Sequence, residues 1–205
     1  MSLDGFIAGP NQTLDEPLGR GGEQLHEWAI ATRAWRESHG MEGGEDNVDS
    51  EIVADRVGRA GATIMGRRMF SGGEGPWESD PNADAWWGDD PPFHHPVFVL
   101  THHARAPLKM EGGTTFTFVT GGIQAALDQA RKAAGGKDIS LAGGAKAAAQ
   151  YLTAGLVDEM EINLAPVLLG SGERLFDGVG DDLHGLKLAR TVATPNVVHL
   201  KFARG

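Results

Sequence analysis

Along the chain, strand-like apolar runs alternate with segments of helical spacing. Leu3 to Ala8 predicts a strand end, followed by the turn Gly9-Pro10-Asn11. From Gly22 to His39 the apolar residues Leu25, Trp28, Ala29, Ala31 and Trp35 recur at helical spacing, with both tryptophans on one face for core packing. Glu42 to Asp46 is acidic and glycine-rich and reads as a mobile loop. Val48 to Arg59 predicts a second helix with Ile52, Val53 and Val57 on one side. Asp49 stands near its start, where a carboxylate favours the helix dipole. Ala62 to Met65 reads as a short buried strand that runs directly into Gly66-Arg67-Arg68. The stretch 71–96 is irregular and carries five prolines together with Trp77, Trp86 and Trp87. Loops of more than about 15 residues are usually functional, and the tryptophans make this one a lid or an interface.

The second half repeats the alternation. Val97 to Thr101 and Thr115 to Val119 predict strands. A helix follows Gly121-Gly122, with Ile123, Ala126, Leu127 and Ala130 on one stripe, and Gly135-Gly136 ends it. Ile139 to Ala142 predicts a strand, and Gly143-Gly144 opens a helix to Ala154. From Asp158 the period changes to two: Met160, Ile162 and Leu164 face one way, Glu159, Glu161 and Asn163 the other. Leu186 to Ala193 and Val197 to Ala203 predict an antiparallel pair about Thr194-Pro195-Asn196. The order implies an α/β fold of one domain over residues 1–205. It would have a central mixed, mostly parallel sheet, helices on both faces and a C-terminal antiparallel hairpin.

Composition narrows the function. The 205 residues are 40% hydrophobic and 22% charged, which suits a globular chain rather than a disordered one. With 18 basic against 28 acidic residues the net charge is -10, so a nucleic acid partner is not expected. No apolar run approaches the ~20 residues of a membrane span, and no secretory signal pattern opens the chain. The absence of cysteine excludes disulfides, thiol catalysis and zinc–thiolate sites, and fits a cytoplasmic location. The pairs His94-His95 and His102-His103 are not natural chelates, because adjacent residues on a strand point to opposite faces. No metal is expected, and Asp80, Asp84, Asp89 and Asp90 read as a solvated loop.

The candidate chemistry lies at three strand ends: Thr63 to Arg68, Phe98 to His103, and Ser140 to Lys146. Each is an apolar strand, a polar or glycine break, then a helix or loop. In parallel sheets ligands gather at the carboxyl ends of strands, where glycines admit a phosphate to the backbone. Arg67, Arg68, Arg105 and Lys146 supply cations at those ends. The layout matches neither a Rossmann fingerprint nor a P-loop, but it suits an anionic nucleotide.

Ser2 to Pro10, Ile64 to Arg68, Val99 to Thr101, Leu141 to Ala145 and Ala165 to Gly172 together resemble, in order, the dihydrofolate-reductase-like superfamily. The resemblance is closest to the branch of the reductase domain of the riboflavin-biosynthesis deaminase-reductase. It implies a dihydrofolate-reductase-like three-layer αβα fold and an NADPH-dependent reductase. It also implies that Gly66, Arg67 and Arg68 hold the cofactor's phosphate region, with Gly143, Gly144, Ala145 and Lys146 at the pyrophosphate. Thr101 and His102, with Arg105, would meet the adenosine 2′-phosphate, and Ile7 and Ala8 would border the nicotinamide. Relatives tend to be homodimers.

The chain begins one residue before Ser2-Leu3-Asp4-Gly5, so the first strand is expected to be short. Asp49 lies about where dihydrofolate reductases place their pterin-binding acid, but its surroundings depart from that pattern, and folate is not the expected substrate. A pyrimidine ribosyl-amine, another pterin or a related small molecule is. The candidate catalytic residues are Asp49 and Asp4, each with a bland alternative: a helix N-terminal charge and a turn residue. Gly170-Ser171-Gly172 is a phosphate loop or a plain turn. A nucleotide-binding module without turnover, and an interaction protein built on the tryptophan-rich loop, are the other readings.

Overall fold

The computed structural model describes residues 1–83, 87–181 and 183–205. In chain order the elements are β1 (Phe6–Ala8), α1 (Glu27–Ile30), α2 (Arg33–Ser38), α3 (Val48–Arg59), β2 (Ala60–Gly66), α4 (Arg67–Ser71), β3 (Pro96–Leu100), β4 (Leu108–Lys109) and β5 (Thr115–Val119). There follow α5 (Gly122–Ala133), β6 (Asp138–Gly143), α6 (Ala145–Thr153), β7 (Glu159–Leu164), β8 (Glu173–Arg174), β9 (Leu186–Ala193) and β10 (Val198–Arg204). The chain divides into two compact units, Met1–Asp55 with Ala149–Gly205, and Arg56–Ala148.

The Arg56–Ala148 unit is built on a five-stranded sheet of order β4-β5-β3-β2-β6. Strands β2, β3, β5 and β6 are parallel, and β4 closes one edge antiparallel to β5. Strands β2 and β3 lie between neighbours and are buried along most of their length, which is why Thr63-Ile64-Met65 and Val97-Phe98-Val99 show no polar alternation. Helix α5 packs on β3 and β2. It buries Ala126, Leu127 and Ala130, the two alanines being small enough for close approach. Met65, Phe70, Val97, Val99 and Phe116 form the core, with Trp77, Trp87, Phe93 and Phe118 packed against it. The rings of Trp77 and Trp87 therefore face inward, contrary to a loop that presents them as a surface. Trp86 and Asp84 lie outside the described residues.

The other unit carries the antiparallel sheet β7-β10-β9 and the separate pair β1-β8. The expected hairpin is present: β9 and β10 pair from Ala193↔Val198 to Leu186↔Arg204. Thr194 closes the turn by donating its N–H and its hydroxyl to the Val197 carbonyl. The residues before β1 run beside the end of β7. The Met1 amino group donates to the Asn163 carbonyl, Ala165 N–H to Met1 O, and Leu3 N–H to Val167 O. Trp28, Ala29, Val53 and Val197 form the core of this unit, flanked by Ala34 and Trp35.

Two local expectations are corrected. The segment Gly22 to His39 is not one helix; it breaks at Thr32, whose extended backbone caps α2 by accepting from Trp35 N–H. Its neighbours exchange backbone hydrogen bonds with Glu45, so Glu42 to Asp46 is tied down rather than loose. Among the described residues no helix is long and apolar enough to cross a membrane.

Gly172 has a φ of +137°, and a Cβ there would overlap the Ala8 carbonyl oxygen across the β1–β8 pair. Gly172→Ala is expected to lower stability by about 1–3 kcal/mol through backbone strain and displacement of β1, read as a lower urea midpoint at unchanged slope.

Candidate functional site

The register of the parallel sheet brings the three strand ends to one edge. Met65 pairs with Gly143, Gly66 with Leu100, and Leu100 with Val119, while Thr101 N–H donates to the Val119 carbonyl. The breaks after β6, β2 and β3 thus stand side by side, two strand spacings or about 10 Å across. The glycines are where the backbones come close. A Cβ at Gly66 would meet Ala147 at 3.3 Å and the Gly143 carbonyl at 3.7 Å. Gly143 and Gly144 are joined by a cis peptide bond. The Gly144 carbonyl accepts from Ala147 and Ala148 N–H to start α6, and a Cβ on Gly144 would have nothing within 4 Å.

The cations at this edge have different partners. Arg67 is buried: its side chain is 7% exposed and its Nη2 lies 2.5 Å from Asp80 Oδ2, itself 3% exposed. Its Nη1 donates to the Ser71 hydroxyl, and Ser71 donates to Asp80 at 2.6 Å. Asp80 is therefore not a solvated loop residue. Burial pushes its carboxyl up, but the Ser71 and Arg67 hydrogen bonds, the Asn82 N–H and the Arg67 charge outweigh this and hold it below its ordinary value. The Trp77 ring meets two guanidinium groups, Arg67 at 3.6 Å and Arg105 at 5.0 Å from its centroid. Its Nε1–H donates to the His103 carbonyl, and Arg105 donates to the Ala83 carbonyl. Arg68 and Lys146 are more open, and both reach Glu74 Oε1, at 3.6 and 3.2 Å. Thr101 is buried and its hydroxyl accepts from His103 N–H; His102 is exposed beside it.

Gly66, Arg67, Arg68, Thr101, His102, Arg105, Gly143, Gly144, Ala145 and Lys146 all belong to the Arg56–Ala148 unit. Ile7, Ala8, Asp4 and Asp49 belong to the other. There Asp49 is more than a helix-end charge. It lies in the first turn of α3, whose start Asn47 caps by accepting from Ser50 N–H. The Asp49 carboxylate accepts from His199 Nε2 at 2.9 Å and from the Thr194 hydroxyl at 3.3 Å. His199, 1% exposed, has its Nδ1 2.7 Å from Asn163 Oδ1 and an edge contact with Trp28. The His199 role escaped the sequence reading, because nothing in Val198-His199-Leu200 reveals that Asn163 stands opposite on β7 and Asp49 arrives from a distant helix.

Asp4 acts on the backbone. Its carboxylate accepts from Leu169 and Gly170 N–H at 3.2 and 2.7 Å. The Ser2 hydroxyl and these N–H groups outweigh an upward push from desolvation and lower it from 3.8 to about 2. The loop at Gly170-Ser171-Gly172 leads into β8. The two histidines at 94–95 diverge: His94 Nδ1 meets the Gly112 carbonyl, His95 Nε2 the Thr63 hydroxyl.

Residues 1–200 match the family described as the RibD C-terminal domain. The chain is 36% identical over 201 residues to the "Uncharacterized protein YyaP" of Bacillus subtilis (strain 168), covering 93% of this chain and 84% of that protein. It is similar to the crystal structure of a protein described as a riboflavin biosynthesis protein from Shewanella sp. PV-4, with a TM-score of 0.59 and 22% identity, over 100% of this chain and 95% of that one. It is also similar to the diaminohydroxyphosphoribosylaminopyrimidine deaminase/5-amino-6-(5-phosphoribosylamino)uracil reductase of Thermotoga maritima, with a TM-score of 0.56 and 12% identity. That match covers 100% of this chain and 54% of the longer protein, so the chain spans about half of it.

Three variants have expected outcomes from these networks. Removing one partner of a buried ion pair leaves the other charge uncompensated, so Asp80→Ala is expected to lower stability by about 3–5 kcal/mol, measured by urea denaturation. Arg68→Ala, at a more open pair, is expected to cost less than about 1 kcal/mol. The depressed Asp4 carboxyl contributes stability that is present above its unfolded value of 3.8 and lost as pH falls toward 2. Asp4→Asn is expected to lower stability at pH 7 and to flatten its fall across that window, the two forms converging as pH approaches 2; an identical acid profile for both forms counts against the assignment.

Proposed function

The chain belongs to the RibD C-terminal domain family, and from that premise we propose that it is an NADPH-dependent reductase of a small organic substrate. The observation that carries this reading is the common edge formed by Gly143-Gly144, Gly66 and Thr101, where glycine backbone and the side chains of Arg68 and Lys146 follow neighbouring strand ends. Its features fit an anionic nucleotide. Gly144 offers open space at the start of α6, and Lys146 and Arg68 already gather around a carboxylate.

In this reading Gly66, Gly143, Gly144 and Ala145 let the pyrophosphate approach the backbone, and Arg68 and Lys146 balance its charge. Arg67 keeps its place against Asp80 and supports the turn. Thr101, His102 and Arg105, at the neighbouring strand end, are proposed for the adenosine 2′-phosphate. The nicotinamide supplies the hydride when bound; the chain supplies orientation and charge balance. The family description favours a riboflavin-pathway substrate, a pyrimidine ribosyl-amine in preference to a folate. With Asp4 held by backbone N–H groups and Asp49 held by His199 and Thr194, the proton is proposed to come from water.

The engagement of both carboxylates favours one alternative, a nucleotide-binding module without turnover. Consumption of NADPH with a pyrimidine ribosyl-amine separates the two readings; binding without consumption selects the module. For assembly we propose a homodimer. Leu3, Leu168, Phe176 and Leu188 expose apolar surface on the unit that holds the termini. A light-scattering mass of twice 21.7 kDa is expected, and a single-chain mass at tens of micromolar rejects it.

Titration with NADPH and NADH is expected to show saturable binding, tighter for NADPH. Binding of neither at millimolar nucleotide rejects the reading. Charge-assisted contacts contribute about 1.5–3 kcal/mol, so Lys146→Glu is expected to weaken NADPH binding roughly 10- to 150-fold without loss of the fold.

A further inference from the structure

We propose that Glu74 is a tethered competitor for the anionic cofactor: its carboxylate holds the position between Arg68 and Lys146 that a cofactor phosphate takes on binding. The inference rests on the nucleotide reading above and assigns the residue that sets the affinity of that site. Glu74 Oε1 lies 3.2 Å from Lys146 Nζ and 3.6 Å from Arg68 Nε. Arg68 belongs to the helix that follows β2, and Lys146 to the helix that follows β6. Two cations from neighbouring strand ends thus converge on one oxygen. In a chain with 18 basic residues against 28 acidic ones, that convergence is the geometry of an anion site, and Glu74 provides the anion.

The loop that carries Glu74 is anchored. Gly73 lies against the Asp80 carboxylate, where a Cβ would come within 2.6 Å of Oδ2. Asp80 is in turn fixed by Arg67 and Ser71. Only a residue without a side chain allows that approach, so the buried ion pair sets where the next residue, Glu74, emerges. Gly72, with a φ of +76°, and Gly75 flank the anchor. The carboxylate is held close to its partners by the chain itself, which raises its effective concentration above that of any free acid.

The contact is also open to exchange. The side chains of Glu74, Arg68 and Lys146 are 58%, 36% and 74% exposed. Such solvated pairs contribute little individually, and a phosphate of higher charge and more acceptor oxygens replaces a single carboxylate favourably. Glu74 therefore lowers affinity for anionic ligands without blocking them, and has no corresponding effect on neutral ones.

The test compares the wild-type chain with Glu74→Gln, which keeps the shape and removes the charge. NADPH, NADH and inorganic pyrophosphate are titrated at low and at high salt. The expected result is a two- to tenfold tighter dissociation constant for all three in Glu74→Gln at low salt, on the order expected for exposed ion pairs. The gain should shrink as salt screens the carboxylate. Equal or weaker binding by Glu74→Gln, with NADPH still bound by both forms, overturns the inference and leaves the cofactor reading standing. A gain that is independent of salt overturns it as well, since charge would not be the cause. Absence of nucleotide and pyrophosphate binding in both forms removes the cofactor reading and this inference together.

Discussion

The Arg67–Asp80 pair is the constraint around which the strand-end edge is arranged. Arg67 follows β2 immediately, so its guanidinium is carried into the core of the sheet unit whatever the loop beyond it does. A charge in that position demands a counter-charge, because leaving it alone costs several kcal/mol. Asp80, thirteen residues on, supplies it. The intervening segment must therefore fold back over the edge, which brings Ser71, Gly73, Glu74 and Trp77 to their places. Trp77 then stacks beneath Arg67 and ties to the His103 carbonyl, joining the end of β3 to the turn after β2. The aromatic contacts of Trp77 with Phe118 at 4.8 Å and Phe70 at 5.9 Å continue this arrangement into the apolar core.

A comparable polar network organises the unit that holds both termini. His199 on β10 links Asn163 on β7 to Asp49 on α3, so a strand pair and a helix share one buried set of hydrogen bonds. The Thr194 hydroxyl faces both the Asp49 carboxylate and the Val197 carbonyl, connecting the hairpin turn to the same network. Buried polar groups are tolerated when each finds a partner. Asp49, buried in the first turn of α3, is thereby tied into the hydrogen bonding that joins this helix to the strand pair.

Charge is distributed against the average. A chain of net charge -10 assembles Arg67, Arg68, Arg105 and Lys146 along one sheet edge, then offsets two of them with Glu74 and one with Asp80. The two offsets differ in kind. Asp80 is buried, and its separation from Arg67 would expose a bare charge to the core. Glu74 is solvated, and its separation exposes two cations to water, where the cost is small. Burial thus separates a shielded ion pair, Arg67–Asp80, from the solvated pairs at Glu74.

Periodicity by itself determined most of the elements. The uninterrupted apolar runs of β2 and β3, the two-residue alternation of β7 and the helical stripe of α5 each reflect a local burial pattern that a linear sequence records. The glycine breaks at Gly66 and Gly143-Gly144, and the order of the motifs, located the strand ends and the family. Tertiary structure alone decided which side chains meet. Thr32 breaks an otherwise continuous helical pattern because Glu45 pairs beside it, and three-residue β1 has a partner only because Glu173-Arg174 returns to it. In the sequence Asp80 reads as one more solvated aspartate and nothing local marks Glu74; the fold places them on Arg67, Arg68 and Lys146. Asp49 and His199 are 150 residues apart, and no local pattern encodes their contact. Hydrophobic burial leaves a periodic trace along the chain, whereas the pairing of charges and hydrogen bonds depends on distances that exist only after the chain has folded.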